Sequence, residues 1–201
     1  MIQVPDGLIS NLVHDIKISP NTTYLYVRLK LLLSDYNNNT VYITLKRLRE
    51  TLGWKCARKT KANLKELKDL GYINYGDIYD ESGFKNGQEI EITINKINEN
   101  FKQLSRQSVF KILENTQNPE KAIRLCYLYK SYTNKEYGYA WLSYSAINQI
   151  GNIRRQDIPD VNKELELNSI ISIQHGLYVT DSTTEVSTQV RENNRYSLLV
   201  S

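Results

Sequence analysis

The densest concentration of charge in the chain lies between Lys46 and Lys68. These 23 residues contain nine lysines and arginines but only two acids, Glu50 and Glu66, so the segment carries a charge of +7. Because the whole chain carries +4, the other 178 residues sum to −3. A localised basic patch is the electrostatic footprint of a protein that binds a polyanion.

The second part of this segment has the periodicity of one helix. Apolar or small residues recur at spacings of three and four, so they are expected to face a core. Gly71 can supply the left-handed residue that ends a helix. Acids that would pair with the lysines at i,i+4 are scarce, which argues against an ordinary solvated face. The core-facing positions are Ala57, Thr60, Leu64 and Leu67.

Alternation and capping signals predict the elements around this helix. Thr44 is expected to cap a helix that buries Leu45, Leu48 and Leu52 and ends at Gly53. Ile90, Ile92 and Ile94 alternate with polar residues, which is typical of a half-buried strand. The remaining predictions are a strand at 13–18, a helix from Asn21 or Thr22 to about Ser34, strands at 41–43 and 72–75, and a hairpin loop at 80–87.

This order of helix, strand, helix, helix, strand, loop and strand resembles the winged helix-turn-helix family. The resemblance covers about residues 20 to 96. It implies that the third helix is presented to the major groove of DNA. The residues that carry it are Ile43-Thr44-Leu45 with Leu48, Leu52-Gly53-Trp54, and Thr60, Leu64, Leu67 and Leu70-Gly71-Tyr72-Ile73.

The resemblance selects the residues expected to contact double-stranded DNA. Arg58 and Asn63 are the candidates for reading bases, since arginine pairs with guanine and asparagine with adenine. Thr44 and Lys46 can hold a phosphate at a helix start, and Lys85 at the hairpin tip can reach the minor groove. Further basic candidates on the third helix are Lys55, Lys59, Lys61 and Lys65.

The same pattern recurs later in the chain and predicts an internal repeat. Leu64, Leu70 and Ile73 align with Val161, Leu167 and Ile170 at an offset of 97, whereas Ile43-Thr44 aligns with Leu142-Ser143 at 99, which implies a two-residue deletion. Val161, Leu165 and Leu167 are expected to face inward, and Asn168 to take the left-handed position. The predicted fold is α+β, with two winged helix-turn-helix domains in tandem joined by a linker helix. Its boundaries are an arm at 1–19, domain 1 at 20–96, the linker helix at 97–117, domain 2 at 118–181 and a tail at 182–201.

The second domain differs from the first in charge. Residues 118–181 contain seven basic and seven acidic residues, and the third helix carries Asp157, Asp160, Glu164 and Glu166 against Lys163. Two alternatives remain open: the domain touches DNA through the helix start, or it binds a protein partner or a second copy of the chain. The DNA candidates there are Arg154, Arg155 and Gln156.

Enzymatic chemistry finds no support in the sequence. Residues 83–87 lack the Gly-Lys-Ser/Thr ending of a phosphate-binding loop, and His14 and His175 are isolated. Cys56 and Cys126 match no metal or redox spacing, which indicates free thiols in a reducing compartment. We expect no catalytic residue, no metal, no cofactor, no small-molecule ligand and no membrane segment, in a cytoplasmic protein.

These observations leave three hypotheses. The first is a site-specific double-stranded DNA-binding protein of a plasmid, phage or other mobile element, acting as a replication initiator or as a regulator of transcription or transfer. The alternative is a protein-interaction module for replisome or relaxosome assembly that uses the acidic second winged helix, with only non-specific DNA contact. The third, stacking on single strands or RNA, ranks last because only Trp54 is an aromatic candidate near the basic patch.

Overall fold

A computed structural model describes residues 1–12, 16–33, 39–76, 88–176, 178–181, 188–191 and 193–200. The chain is an α+β protein, and these residues contain seven α-helices and ten short strands. The first half comprises β1 (Ile2–Pro5), α1 (Pro20–Leu32), β2 (Thr40–Thr44), α2 (Leu45–Leu52), α3 (Ala57–Asp69), β3 (Ile73–Tyr75) and β4 (Glu89–Ile94).

The second half follows the same order of elements, with one further helix after its first strand and with a hairpin before its last strand. Its elements are β5 (Phe101–Leu104), α4 (Arg106–Glu114), α5 (Pro119–Tyr132), β6 (Ala140–Leu142), α6 (Tyr144–Gly151), α7 (Ile158–Leu167), β7 (Ile171–Gln174), β8 (Tyr178–Asp181), β9 (Thr188–Arg191) and β10 (Asn194–Leu198).

The two halves build equivalent antiparallel sheets. The strand order is β2-β4-β3 in the first and β6-β10-β7 in the second. Ile43 pairs with Ile90 and Ile73 with Ile94, whereas the equivalent pairs are Leu142 with Asn194 and Ile171 with Leu198. The β8–β9 hairpin precedes the central strand of the second sheet, and the corresponding segment of the first half lies mostly outside the described residues.

Helix caps fix the spacing of the repeat. Thr44 and Ser143 cap α2 and α6, and Gly53 and Asn152 end them in the left-handed conformation, so both pairs are 99 residues apart. After this point the offset is 98. Gly71 (φ +77°) corresponds to Ser169 (φ +50°). The backbone hydrogen bond from Tyr72 N to Leu67 O corresponds in the same way to the one from Ile170 N to Leu165 O.

The predicted alignment of the third helices is therefore wrong by one residue, and the deletion is of one residue rather than two. Ser169, not Asn168, takes the left-handed position. Leu167 is 74% exposed instead of facing inward. The buried positions of α3 and α7 correspond one to one at the observed offset: Thr60, Asn63, Leu64 and Leu67 with Ile158, Val161, Asn162 and Leu165.

A two-fold relation joins the two halves. Strands β1 and β5 are equivalent, because their first and last residues are again 99 residues apart. The two strands pair antiparallel, with Ile2 opposite Leu104 and Pro5 opposite Phe101. The first residue of each strand thus meets the last of the other, which is the pairing that a two-fold axis produces. Helices α1 and α5 pack together beside this ribbon, and all eight residues from 122 to 129 of α5 are buried.

The structure differs from the predictions in the N-terminal segment and in the segment that links the two halves. The strand predicted at 13–18 lies partly outside the described residues, and 16–18 form no strand, whereas β1 does. Ser19 rather than Asn21 or Thr22 caps α1, since Pro20 occupies the first helical position. The linker helix predicted over 97–117 contains a strand, β5, and is helical only over 106–114, because Ser105 caps α4.

The prediction of a tail at 182–201 is wrong for residues 194–198, because these residues form β10 at the centre of the second sheet. Tyr196 is completely buried, and its ring stacks on that of Tyr129 at a centroid distance of 4.3 Å. The predicted end of domain 2 at residue 181 would remove this strand from between β6 and β7. A central strand that returns from the chain terminus escapes a search for local patterns.

We expect Tyr196→Ala to lower the free energy of unfolding by about 3 kcal/mol, because it removes a fully buried ring and leaves a cavity. Urea unfolding followed by circular dichroism measures the change. Leu199→Ala is the matched control, since Leu199 is 57% exposed and lies next to the end of the same strand. Equal stability of the two variants would show that the C-terminal strand is dispensable.

Candidate nucleic-acid interface

Local signals position α3 as predicted. Thr44 Oγ1 accepts a hydrogen bond from Arg47 N at 3.1 Å and starts α2. Gly53 ends α2 with φ +67°, and Gly71 follows α3 with φ +77°, conformations that favour glycine. Because Leu48 and Leu52 are buried beside Leu64 and Leu67, the two helices share one core, and the orientation of α3 is fixed by packing.

The outward side of α3 is basic. Arg58 and Lys65 are exposed, Ala62 lies exposed between them, and Lys61 is half-buried. Their spacing of three or four residues places them along one side of the helix, opposite Leu64 and Leu67. Lys65 Nζ contacts Asp69 Oδ2 at 2.6 Å, but both side chains are exposed, so this pair is weak. This side, called here the basic ridge, consists of Arg58, Lys61 and Lys65.

Asn63 does not belong to the basic ridge, and its predicted role in reading adenine is wrong. The residue is buried, and its Oδ1 accepts a hydrogen bond from Thr22 Oγ1 at 2.7 Å. Its Nδ2 donates to the Lys59 carbonyl at 2.7 Å. An asparagine that satisfies its own backbone and an adjacent helix in this way ties α3 to α1.

Lys59 faces the molecule rather than solvent. Its Nζ lies 3.3 Å from Glu120 Oε1 and 4.2 Å from the centre of the Trp54 ring. Trp54 is buried and donates its Nε1 hydrogen to the same carboxylate at 3.1 Å. Lys59 is therefore an anchor between α3 and α5, and Trp54 packs in the core. The sequence pattern missed Glu120, which is 61 residues from Lys59 along the chain.

The other predicted contacts in the first half are Thr44, Lys46, Lys55 and Lys85. Lys46 and Lys55 are exposed beside the starts of α2 and α3, and Thr44 is half-buried at the cap. Arg47, which the sequence did not single out, is exposed next to Lys46. Lys85 lies outside the described residues.

In the second half the predicted residues lie just before α7. Arg155 and Gln156 are exposed. The Arg154 guanidinium is 71% exposed but lies 2.9 Å from Asp157 Oδ2, and Lys121 Nζ lies 3.0 Å from the same oxygen. Burial raises the pKa of Asp157, but hydrogen bonds from Lys121 and Arg154 outweigh it and lower the pKa overall.

The starts of α3 and α7 lie close together. Glu120 and Lys121 are neighbours at the start of α5; the first holds Lys59 of α3, and the second holds Asp157, which precedes α7. A cleft of about 290 Å³ between these helix starts is lined by all four residues and by Arg154. The N-terminal end of the basic ridge therefore lies near the Arg154–Gln156 segment.

The outward side of α7 contrasts with the basic ridge. Its exposed residues are Asp160, Lys163, Glu166 and Leu167. The Glu164 carboxylate accepts a hydrogen bond from Gln117 N at 3.1 Å. Two acids and an exposed leucine do not suit a phosphate backbone.

Cys56 stands at the start of the basic ridge. The thiol is exposed at the N-terminus of α3. Hydrogen bonds from the backbone N–H groups of Lys59 and Arg58, together with the charges of Arg58 and Arg49, lower its pKa against a small opposing effect of burial. Cys126 is buried in α5, and burial raises the pKa of its thiol.

No group of three or more His, Cys, Asp or Glu residues within the described part of the chain could hold a metal ion. No described helix is long and apolar enough to cross a membrane. No family model matches the chain. A search of curated proteins also found no match.

The two thiols should differ sharply in reactivity. We expect Cys56 to react with a disulfide reagent in the native protein, with a pH midpoint below that of the same cysteine in the urea-unfolded chain, because its thiolate is stabilised at the helix start. Cys126 should react only on unfolding. Absorbance of the released thiolate measures both rates, and Cys56→Ser should remove the fast phase. A fast phase that survives in this variant would contradict the burial of Cys126 in α5, and a Cys56 midpoint no lower than that in the unfolded chain would contradict its placement at the start of α3.

Proposed function

We propose that this chain is a tandem winged helix-turn-helix protein that binds a specific double-stranded DNA site, with the basic ridge of α3 in the major groove. The observation that carries the proposal is the two-sided character of α3. Leu64 and Leu67 fix the helix in the core, and Arg58, Lys61 and Lys65 lie on its outward side. The equivalent element order and sheet order of the two halves support the tandem architecture.

Each basic residue of the ridge has a distinct part in this proposal. Lys61 and Lys65 neutralise phosphates and release counterions, which gives affinity that falls as salt rises. Arg58 has the planar donors that pair bidentately with guanine, so it is the candidate for sequence readout. Lys46, Arg47 and Lys55 add positive charge beside the ridge.

A single chain with two related halves can cover two half-sites. The two-fold relation between the halves predicts half-sites in opposite orientation. The half-sites should differ in sequence, because Arg58 of α3 corresponds to Gln156 before α7 at the observed offset. Such a pseudo-dimer suits a replication initiator or a transcription or transfer regulator of a plasmid, phage or other mobile element.

The second candidate function is a protein-interaction module. The exposed Leu167, flanked by Asp160 and Glu166, favours a protein partner or self-association for the outward side of α7. This function is compatible with DNA binding by the first half, since the two surfaces lie on different helices.

Salt-dependent binding tests the proposed groove contact. We expect Lys61→Ala combined with Lys65→Ala to lower the slope of log K against log salt by about 2, since each lost phosphate contact removes about 0.9. Fluorescence anisotropy with a labelled 24-base-pair duplex of mixed sequence measures the slope. Lys163→Ala is the matched control, because Lys163 occupies in α7 the position of Lys65 in α3.

The control should leave the slope within about 0.3 of the wild-type value on the same duplex. A double variant with an unchanged slope would remove α3 from the interface. An equal loss in the Lys163 variant would indicate diffuse attraction to the whole surface rather than docking of one helix.

A further inference from the structure

A row of aromatic side chains lies on the surface of the second half, away from the sequence patterns that indicated DNA binding. Tyr137 is 61% exposed and Trp141 is 54% exposed, with the ring of Tyr139 between them along the chain. The rings of Tyr137 and Tyr139 stack at a centroid distance of 5.9 Å and an angle of 28°. With Tyr132 and Asn134 they line an open depression of about 550 Å³.

These residues are brought together by strand β6 and the turn that leads into it. Residues 137, 139 and 141 alternate with Gly138 and with Ala140, which is buried in β6. Trp141 lies in β6, whereas residues 135–139 form the turn before it, closed by a hydrogen bond from Gly138 N to Asn134 O at 2.9 Å. Gly138 has φ +72°, a conformation that favours glycine, and the turn brings the rings of Tyr137 and Tyr139 against each other. The three aromatic rings therefore lie beside one edge of the second sheet.

Arg195 places a positive charge against this row. It lies on β10 directly opposite Trp141 of β6. Its guanidinium carbon is 5.3 Å from the centre of the Tyr139 ring and 5.8 Å from that of Trp141. Lys135 is exposed at the start of the row, next to Glu136. Aromatic rings together with an arginine are the chemistry that holds unpaired nucleotides, by stacking on bases and by charge on phosphates.

The first half provides an internal comparison. Tyr42 occupies the position of Trp141 and is 60% exposed. The residue opposite Tyr42 is Glu91, an acid, where the second half has Arg195. The Glu91 charge raises the pKa of Tyr42. The equivalent face of the first half therefore repels phosphate, and charge complementarity favours nucleic acid only in the second.

We propose that Tyr137, Tyr139, Trp141 and Arg195 form a binding surface for single-stranded nucleic acid. Bases stack on the aromatic rings, and Arg195 and Lys135 contact the phosphates. This surface lies on a different element from the basic ridge and does not depend on the proposed duplex binding. A chain that carries both surfaces can hold a duplex and an unpaired strand at the same time.

The test is anisotropy with a fluorescein-labelled 12-nucleotide oligothymidine, on the full chain. We expect Trp141→Ala to weaken binding of this probe by about fivefold to a hundredfold, since stacking on one base is worth about 1–3 kcal/mol. The matched control is Tyr42→Ala, which should leave binding within twofold. Thermal unfolding by circular dichroism establishes that both variants are folded.

A second readout uses the two tryptophans directly. Trp54 is buried, so Trp141 dominates the fluorescence that a solvent quencher can reach. Oligothymidine should protect Trp141 from acrylamide, and the Lys61→Ala, Lys65→Ala variant should keep that protection. Equal binding of oligothymidine by wild type and Trp141→Ala would overturn the proposal, as would loss of binding in the ridge variant alone. Protection of Trp141 by a proline-rich decapeptide but not by oligothymidine would also overturn it and assign the row to a peptide.

Discussion

The packing of α1 against α5 is the constraint on which the rest of the structure depends. Both helices are buried nearly all round, so neither half has a core that is independent of the other. Arg124 of α5 is completely buried and donates to the carbonyl of Leu8, to Thr23 Oγ1 at 2.7 Å and to Asn11 Oδ1 at 3.3 Å. Burial lowers the pKa of this guanidinium to about 9. A buried charge that donates to three fixed acceptors, while its Nε has no hydrogen-bond partner among the described residues, requires the N-terminal segment, α1 and α5 to be assembled together.

The position of the candidate interface follows from this pair. Thr22 of α1 holds Asn63 of α3 and also contacts Glu66, whereas Glu120 of α5 holds Lys59. Helix α3 is thus attached to both central helices through its inner side, and its outward side carries the basic ridge. Helix α7 is attached by an asparagine at a different position: Asn162, the counterpart of Leu64, accepts a hydrogen bond from Tyr129 Oη at 2.7 Å. The same scaffold therefore presents two helices with opposite surface charge.

Helix ends, which depend on a few neighbouring residues, could be predicted from the sequence, whereas contacts between distant parts of the chain could not. Thr44, Gly53 and Gly71 mark helix ends through requirements that act within a few residues, so the bounds of α2 and α3 were predictable. Asn63 and Lys59 were assigned to the interface because a polar residue on a basic helix gives no local sign that it is buried. Tyr196 was assigned to a tail because its stacking partner, Tyr129, lies in a helix far earlier in the chain. The aromatic row was missed because Arg195, which completes it, lies on that same strand.

Selection of binding sites from random duplex DNA, with wild type and Arg58→Ala, tests the central claim most directly. We expect two unlike half-sites in opposite orientation. Arg58→Ala should lose a guanine in one half-site and retain the other half-site. Recovery of no motif by the wild type would contradict site-specific binding by α3. An unchanged motif in the variant would contradict the assignment of Arg58 to base readout.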